Sequence, residues 1–275
     1  DACAVPDTQV RQAFLTPEYL AQQAAEMPNG VGKLWRITSP EGAVSHLWGT
    51  MHSTHREILD LPPKLREVIA RADYVAGEFN PILESRKAVA AGRRGEKFWV
   101  GNGPRTQTDF LRPDVKGWIK ARLRGQGYQD EWFDQITIGG LASLVLSDPC
   151  DDFAVGVLPI QDNYIVQLAV AAGAQIRGLE PYNRFLRDMN KPEYREIAEA
   201  VLQVYGAYLN PKGYINRDGS WYGLYLQGHM AGMMAWDKSN MVDFFGEAEG
   251  ARLYGLVNGY LVGERNRGFL ERALP

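Results

Sequence analysis

The sequence predicts a mixed fold, α/β or α+β, in which a central mixed sheet containing a parallel βαβ unit is surrounded by many helices. Three observations carry this. Short apolar runs bounded by turn residues alternate with helical stretches in the first 80 residues. A helix closed by glycine leads straight into another short strand near residue 175. Almost everything after Pro181 has helical spacing.

Pro17–Met27 (PEYLAQQAAEM) is made of helix formers, opens with proline, and is ended by Asn29-Gly30. Lys33–Ile37 and Ala43–Met51 are extended runs joined by Ser39-Pro40-Glu41-Gly42, which predicts a β-hairpin. Pro62-Pro63 opens a helix, KLREVIARA, with Leu65, Val68, Ile69 and Ala72 on one face, and Tyr74–Phe79 follows as a strand. Strand, helix, strand in that order predicts a parallel pair with a right-handed crossover. A helix is expected over Gln161–Ala172, capped by Gly173, then a buried strand over Ala174–Leu179. Lys191–Tyr208 and Met241–Leu274 are expected to be helical. No repeat or linker interrupts the 275 residues, so one domain is expected, helix-rich from about residue 181.

Composition narrows the function classes. Thirty Lys and Arg against 33 Asp and Glu leave a formal charge of -3, which offers no positive surplus for a phosphate backbone, so no nucleic-acid partner is expected. The apolar runs Leu141–Leu146 and Ile165–Ala172 fall far short of the about 20 residues of a membrane span. The start at Asp1 is consistent with a processed secretory signal or with trimming, and a periplasmic or secreted location is the expectation. Cys3 and Cys150 form an even set, compatible with one disulfide or with two unrelated thiols.

The chemistry-bearing residues cluster at strand ends. His52 follows SHLWGTM, Glu78 lies in YVAGEF, and Glu180 follows AQIRGL. Ligands of open parallel sheets bind beyond the carboxyl ends of strands, so an imidazole and two carboxylates are expected to converge on one cleft. Such a set suits manganese, zinc, cobalt or iron better than calcium. The bland alternative is that these polar side chains cap helices or face water. Glu78 and Glu180 as an acid and base pair of the glycosidase kind is a weaker reading. There is no GxSxG, HExxH, Walker A or CxxC motif. The basic patch Arg93, Arg94 and Lys97 is read as solvated surface, and Gly101-Asn102-Gly103 is not followed by a phosphate-cradling helix. Tyr205, Tyr208, Tyr214, Trp221, Tyr222, Tyr225 and Trp236 concentrate aromatic area for stacking on a sugar or peptide, or for packing between helices.

LWGTMHS, followed by LPPKLREVIARADYVAGEF, resembles the TraB/GumN family, which includes the TIKI-type membrane-tethered peptidases and lies near the ChaN and erythromycin-esterase-like folds. IQDNYIVQLAVAAGAQIRGLEPYNRFL and GERNRGFLERAL continue the resemblance in the expected order. Gly49 and His52 match the first GxxH, Glu78 the acid after the second strand, Asp162 the acidic helix position, Glu180 the Gly-Leu-Glu position, and Arg265 with Asn266 the Arg-Asn pair. The resemblance implies a divalent metal, manganese, cobalt or zinc, held in part by histidines of two GxxH motifs. This sequence has one. Of its four histidines, His46, His55 and His229 are preceded at three residues by Ala43, His52 and Leu226. The family pattern would continue past the Arg-Asn helix into a strand carrying the second motif.

On that resemblance the cleft is a reduced or degenerate version of a metal-dependent, peptidase-like hydrolase site, acting on a peptide or glycan ligand. His52 and Glu78 would hold the metal, Glu180 or Asp162 would handle protons, Arg265 would stabilise an oxyanion, and Asn266, its partner in the Arg-Asn pair, would complete the catalytic set. The alternatives are a noncatalytic binding or assembly protein serving exopolysaccharide production, and haem binding as in the ChaN-like relatives. His55, in HSTH, is a possible substitute imidazole. His46 and His52 share a strand face but lie roughly 20 Å apart, too far for one ion. His229 is expected to pack on an amphipathic helix.

Overall fold

The computed structural model describes residues 8–83, 108–125, 127–146, 160–211 and 219–273, and of Trp132 the backbone only. Cys3, Cys150, Arg93, Arg94, Lys97, Gly101-Asn102-Gly103 and Tyr214 lie outside the described residues. Two compact units emerge. One comprises described residues 8–75, 160–176 and 219–240, the other 76–83, 108–125, 127–146, 177–211 and 241–273.

In the first unit, Thr16 caps the helix Pro17–Glu26 by accepting the Tyr19 N–H at 3.2 Å, with Pro17 at the first position. Leu34–Thr38 (β1) and Val44–Trp48 (β2) pair antiparallel, Leu34 opposite Trp48 and Thr38 opposite Val44. The turn is the expected one. Gly42 takes φ +88°, a conformation that costs glycine nothing, and its N–H donates to Ser39 O at 3.0 Å. Leu65 and Ile69 of the helix Pro63–Ala70 pack with Leu61 on Ile165 and Ala169 of the helix Gln161–Ala171. That helix ends as expected: Gly173 adopts φ +86° and the Ala174 N–H returns to Ala169 O at 2.9 Å.

Tyr74–Gly77 (β3) and Gln175–Gly178 (β4) form the parallel pair. The Gln175 N–H donates to Asp73 O and the Leu179 N–H to Gly77 O, both at 2.9 Å. The mixed class with many helices therefore holds, with one correction to its wiring. Among the described residues β2 pairs only with β1, so the parallel partner of β3 is β4, about a hundred residues later, and the strands form two pairs. Neighbours in sequence suggested β2 with β3; hydrogen bonding chose the distant strand.

The second unit is helical. Pro113–Gly125, Ile138–Leu146, Arg184–Met189, Arg195–Tyr208 and Glu247–Asn258 surround a core that includes Val115, Ile119, Leu141, Val201, Leu202 and Leu253. Gly139 permits the closest approach: a Cβ there would sit 2.3 Å from Leu186 O. The expected Lys191–Tyr208 helix starts with a 3-10 turn, Pro192–Tyr194. The expected Met241–Leu274 helix is divided. Met230–Phe245 ends at Gly246, φ +86°, and a π-helix, Gly259–Glu264, lies between Glu247–Asn258 and Arg265–Ala273. No helix among the described residues is long and apolar enough to cross a membrane.

Candidate functional site

In the first unit the segment after β2, Gly49–Ser53, is gripped by the first two residues of the helix Gln161–Ala171. Gln161 is 1% exposed. Its Oε1 accepts the Met51 N–H at 3.0 Å, the Tyr225 hydroxyl at 2.7 Å and the Trp48 indole N–H at 3.3 Å. Its Nε2 donates to Ile58 O at 2.5 Å, and its backbone N–H donates to Ser53 O at 3.2 Å. The Tyr225 hydroxyl also lies 2.8 Å from Gly49 O. Burial holds that phenol far above its ordinary pKa, so it stays a donor.

Asp162 takes the other side of the same segment. Its Oδ1 accepts the Thr50 hydroxyl at 2.8 Å and stands 3.6 Å from His52 Nε2. Burial would push the Asp162 carboxyl up. The His52 imidazole and the Thr50 hydroxyl outweigh burial, and the net shift is downward, so the carboxylate is ionised at neutral pH. Its second oxygen, Oδ2, is buried without a hydrogen-bond partner. His52 is by contrast half-exposed, 56% at the side chain. A carboxylate fixed at one oxygen and facing an open imidazole is the arrangement that orients a histidine as base or ligand.

The other histidines do different work. His55 caps the short helix Arg56–Leu59, its Nδ1 accepting the Glu57 N–H at 3.3 Å. That bond uses the Nδ1 lone pair and leaves the proton on the buried Nε2, so the ring as placed is a donor and not a ligand. His229 is not on a helix face as expected. It precedes Met230–Phe245 and accepts the Gly232 N–H on Nδ1 at 3.0 Å. His46 is exposed opposite Arg36.

In the second unit the parallel register sets two acids side by side, the Glu180 N–H donating to Glu78 O at 2.7 Å just past the ends of β4 and β3. Arg265, first residue of its helix, bridges them. Its Nη2 donates to Glu78 Oε2 at 3.0 Å and to Glu180 Oε1, and its Nε lies 3.4 Å from Glu180 Oε2. Burial would lower the guanidinium pKa, but the two carboxylates more than offset that and raise it. Arg184 Nη1 reaches Glu180 at 3.4 Å and its Nε reaches Asp188 at 3.4 Å. Asp188 also accepts from Lys191 at 2.6 Å and from the Tyr260 hydroxyl at 2.8 Å. Three carboxylates thus face three cations. Tyr260 belongs to the π-helix that ends just before Arg265, a local irregularity of the kind common at functional sites. Asn266 is exposed next to Arg265.

The sequence-based candidates are therefore gathered in two groups, His52 with Asp162 and Glu78 with Glu180 and Arg265. A family model described as the TraB/PrgY/gumN family matches residues 33–275, which takes in every member of both groups. The chain belongs to the TraB/PrgY/gumN family. No curated protein and no solved structure matches it.

For a family member expected to use a divalent metal, the two groups differ in fitness for one. His52 and Asp162 have the right donor types for manganese, cobalt or zinc, and the unpartnered Asp162 Oδ2 is an acceptor in need of a partner. They are two donors, where catalytic zinc sites use three protein ligands. Glu78 and Glu180 do not fit, because the Arg265 guanidinium already occupies the cationic position between them. Among the described residues no group of three or more His, Cys, Asp or Glu is arranged to hold a metal ion. Gln161, Thr50, Arg184 and Asp188 were not singled out in the sequence, and Tyr225 entered only as one of a group of aromatics for stacking or packing. Gln161 sits among ordinary helix formers, and only its neighbour Asp162 carried a motif.

Proposed function

We propose that this TraB/PrgY/gumN member is a periplasmic or secreted protein with a reduced metal-dependent, peptidase-like hydrolase centre built on His52 and Asp162. The observation that supports it is the buried, ionised Asp162 carboxylate, tied to Thr50 by one oxygen and facing the half-exposed His52 imidazole. A divalent cation held by His52 and Asp162 would supply charge stabilisation and a more acidic water. The chain's own part is positional. Thr50 fixes Asp162 Oδ1, Asp162 orients the imidazole, and Gln161 fixes the backbone that carries both Thr50 and His52. His52 is exposed enough to reach a ligand or to take a proton from water.

The test is cleavage of a mixed peptide library with added manganese, cobalt or zinc. Metal-dependent cleavage that falls at least a hundredfold in His52→Ala supports the reading. No cleavage, or cleavage indifferent to His52→Ala, overturns it.

A second reading, a noncatalytic binding or assembly protein on the same scaffold, is favoured by one observation. Arg265, the expected oxyanion stabiliser, is spent on Glu78 and Glu180.

A further inference from the structure

Lys33 immediately precedes β1 and is half-buried. Its ammonium donates to Leu226 O at 3.2 Å and lies over two aromatic faces, 4.7 Å from the Tyr225 ring centroid and 5.6 Å from that of Trp48. Both rings are held by their polar ends, since the Tyr225 hydroxyl and the Trp48 indole N–H each donate to Gln161 Oε1. Both rings are thus anchored by Gln161, and the cation lies over them. Among the described residues no carboxylate pairs with Lys33, and burial alone, with no charged partner, lowers its pKa. Two other partly buried cations of the chain are treated differently: Arg265 and Arg184 each contact two acids.

A partly desolvated ammonium with one carbonyl bond and two aromatic faces retains donors and an unmatched charge. What satisfies it best is a carboxylate, through a charge-assisted hydrogen bond. The backbone of Lys33 adjoins the segment that carries the candidate centre. The Gly49 N–H donates to Lys33 O at 2.9 Å, and His52 follows Gly49 by three residues, at most about 10 Å of extended chain.

We propose that Lys33, seated on Tyr225 and Trp48, is a subsite for a carboxylate of the ligand, which makes the substrate class an anionic peptide. As an assignment of substrate class this rests on the hydrolase reading above. The binding test needs neither metal nor turnover, so either idea can fail without the other.

The experiment is an NMR titration of the full chain, following the Lys33 and Gly49 amides, with three probes: acetyl-Ala-Ala free acid, acetyl-Ala-Ala amide, and acetyl-glutamate amide. At least tenfold tighter binding of a carboxylate-bearing probe than of the dialanine amide is expected. The better of the two acids tells a chain terminus from an acidic side chain. Lys33→Met, which keeps the aliphatic stem, should abolish the preference, and Lys33→Arg should restore it. Equal affinity for acid and amide, no binding by any probe, or a preference that survives Lys33→Met overturns the proposal. Should Lys33→Met fail to fold, the acid-against-amide comparison on the natural chain and on Lys33→Arg still decides.

Discussion

Asp162 Oδ1 stands 3.6 Å from His52 Nε2 while the same oxygen accepts the Thr50 hydroxyl at 2.8 Å. One carboxylate therefore binds the segment after β2 at two alternate residues, and its charge, not merely its shape, is directed at the imidazole. Asp162→Asn keeps the shape and removes the charge. Any metal-dependent cleavage should fall at least about a hundredfold, because a residue that holds the cation loses its charge, a larger loss than that of an orienting partner, with the circular dichroism spectrum unchanged.

Gln161 is the structural counterpart. Gln161→Met retains length and takes away the acceptor of three donors, Met51 N–H, Trp48 N–H and Tyr225 O–H, and the donor to Ile58 O. At about 1–3 kcal/mol for each buried group left unpaired, with partial relief by water, a net loss of about 3 kcal/mol is expected by urea denaturation. Tyr225→Phe removes one of those donors and should cost about 1 kcal/mol.

Arg265 offers a test in which two changes hurt less than one. Arg265→Met leaves Glu78 and Glu180 facing each other without their shared cation, and a loss of about 3–5 kcal/mol is expected. Adding Glu78→Gln and Glu180→Gln to Arg265→Met removes the stranded charges and should recover part of that loss. Urea midpoints of the single and triple variants at pH 7 measure the difference.

Asp188 sets a pH dependence. Burial would push its carboxyl up, but Lys191, Tyr260 and Arg184 together bring it below the ordinary carboxylate value. A carboxylate depressed in the folded state stabilises fully above its unfolded pKa, about 3.9, and that stability is lost as pH falls through the lower folded value. The natural chain should therefore be more stable than Asp188→Asn at pH 7, and the gap should narrow below about pH 4. Urea midpoints from pH 7 to pH 3 check this.

Much of the local structure was legible because its determinants are local. Pro17 sets a helix start, Gly42 a turn, and Gly173 a helix end, each by a backbone conformation that a few neighbours dictate. What pairs with β3 is decided across about a hundred residues, and no short-range pattern encodes it. Motifs named the charged residues but not their grouping: Glu78 and Glu180 meet Arg265, and Asp162 meets His52. The supporting groups were not. Gln161 and Tyr225 resemble a helix former and a packing aromatic until their partners, from Gly49 to Ile58, are brought to them by the fold. The π-helix before Arg265 likewise leaves no periodic trace in GYLVGE.

The proposed function depends on His52 and Asp162 as a cation-binding pair. Calorimetric titration of manganese, cobalt and zinc into the natural chain, His52→Ala, Asp162→Asn and Glu78→Gln tests it most directly. Binding that is lost in the first two variants and kept in Glu78→Gln is the predicted result; no heat of binding in the natural chain, or binding that survives His52→Ala, would contradict it.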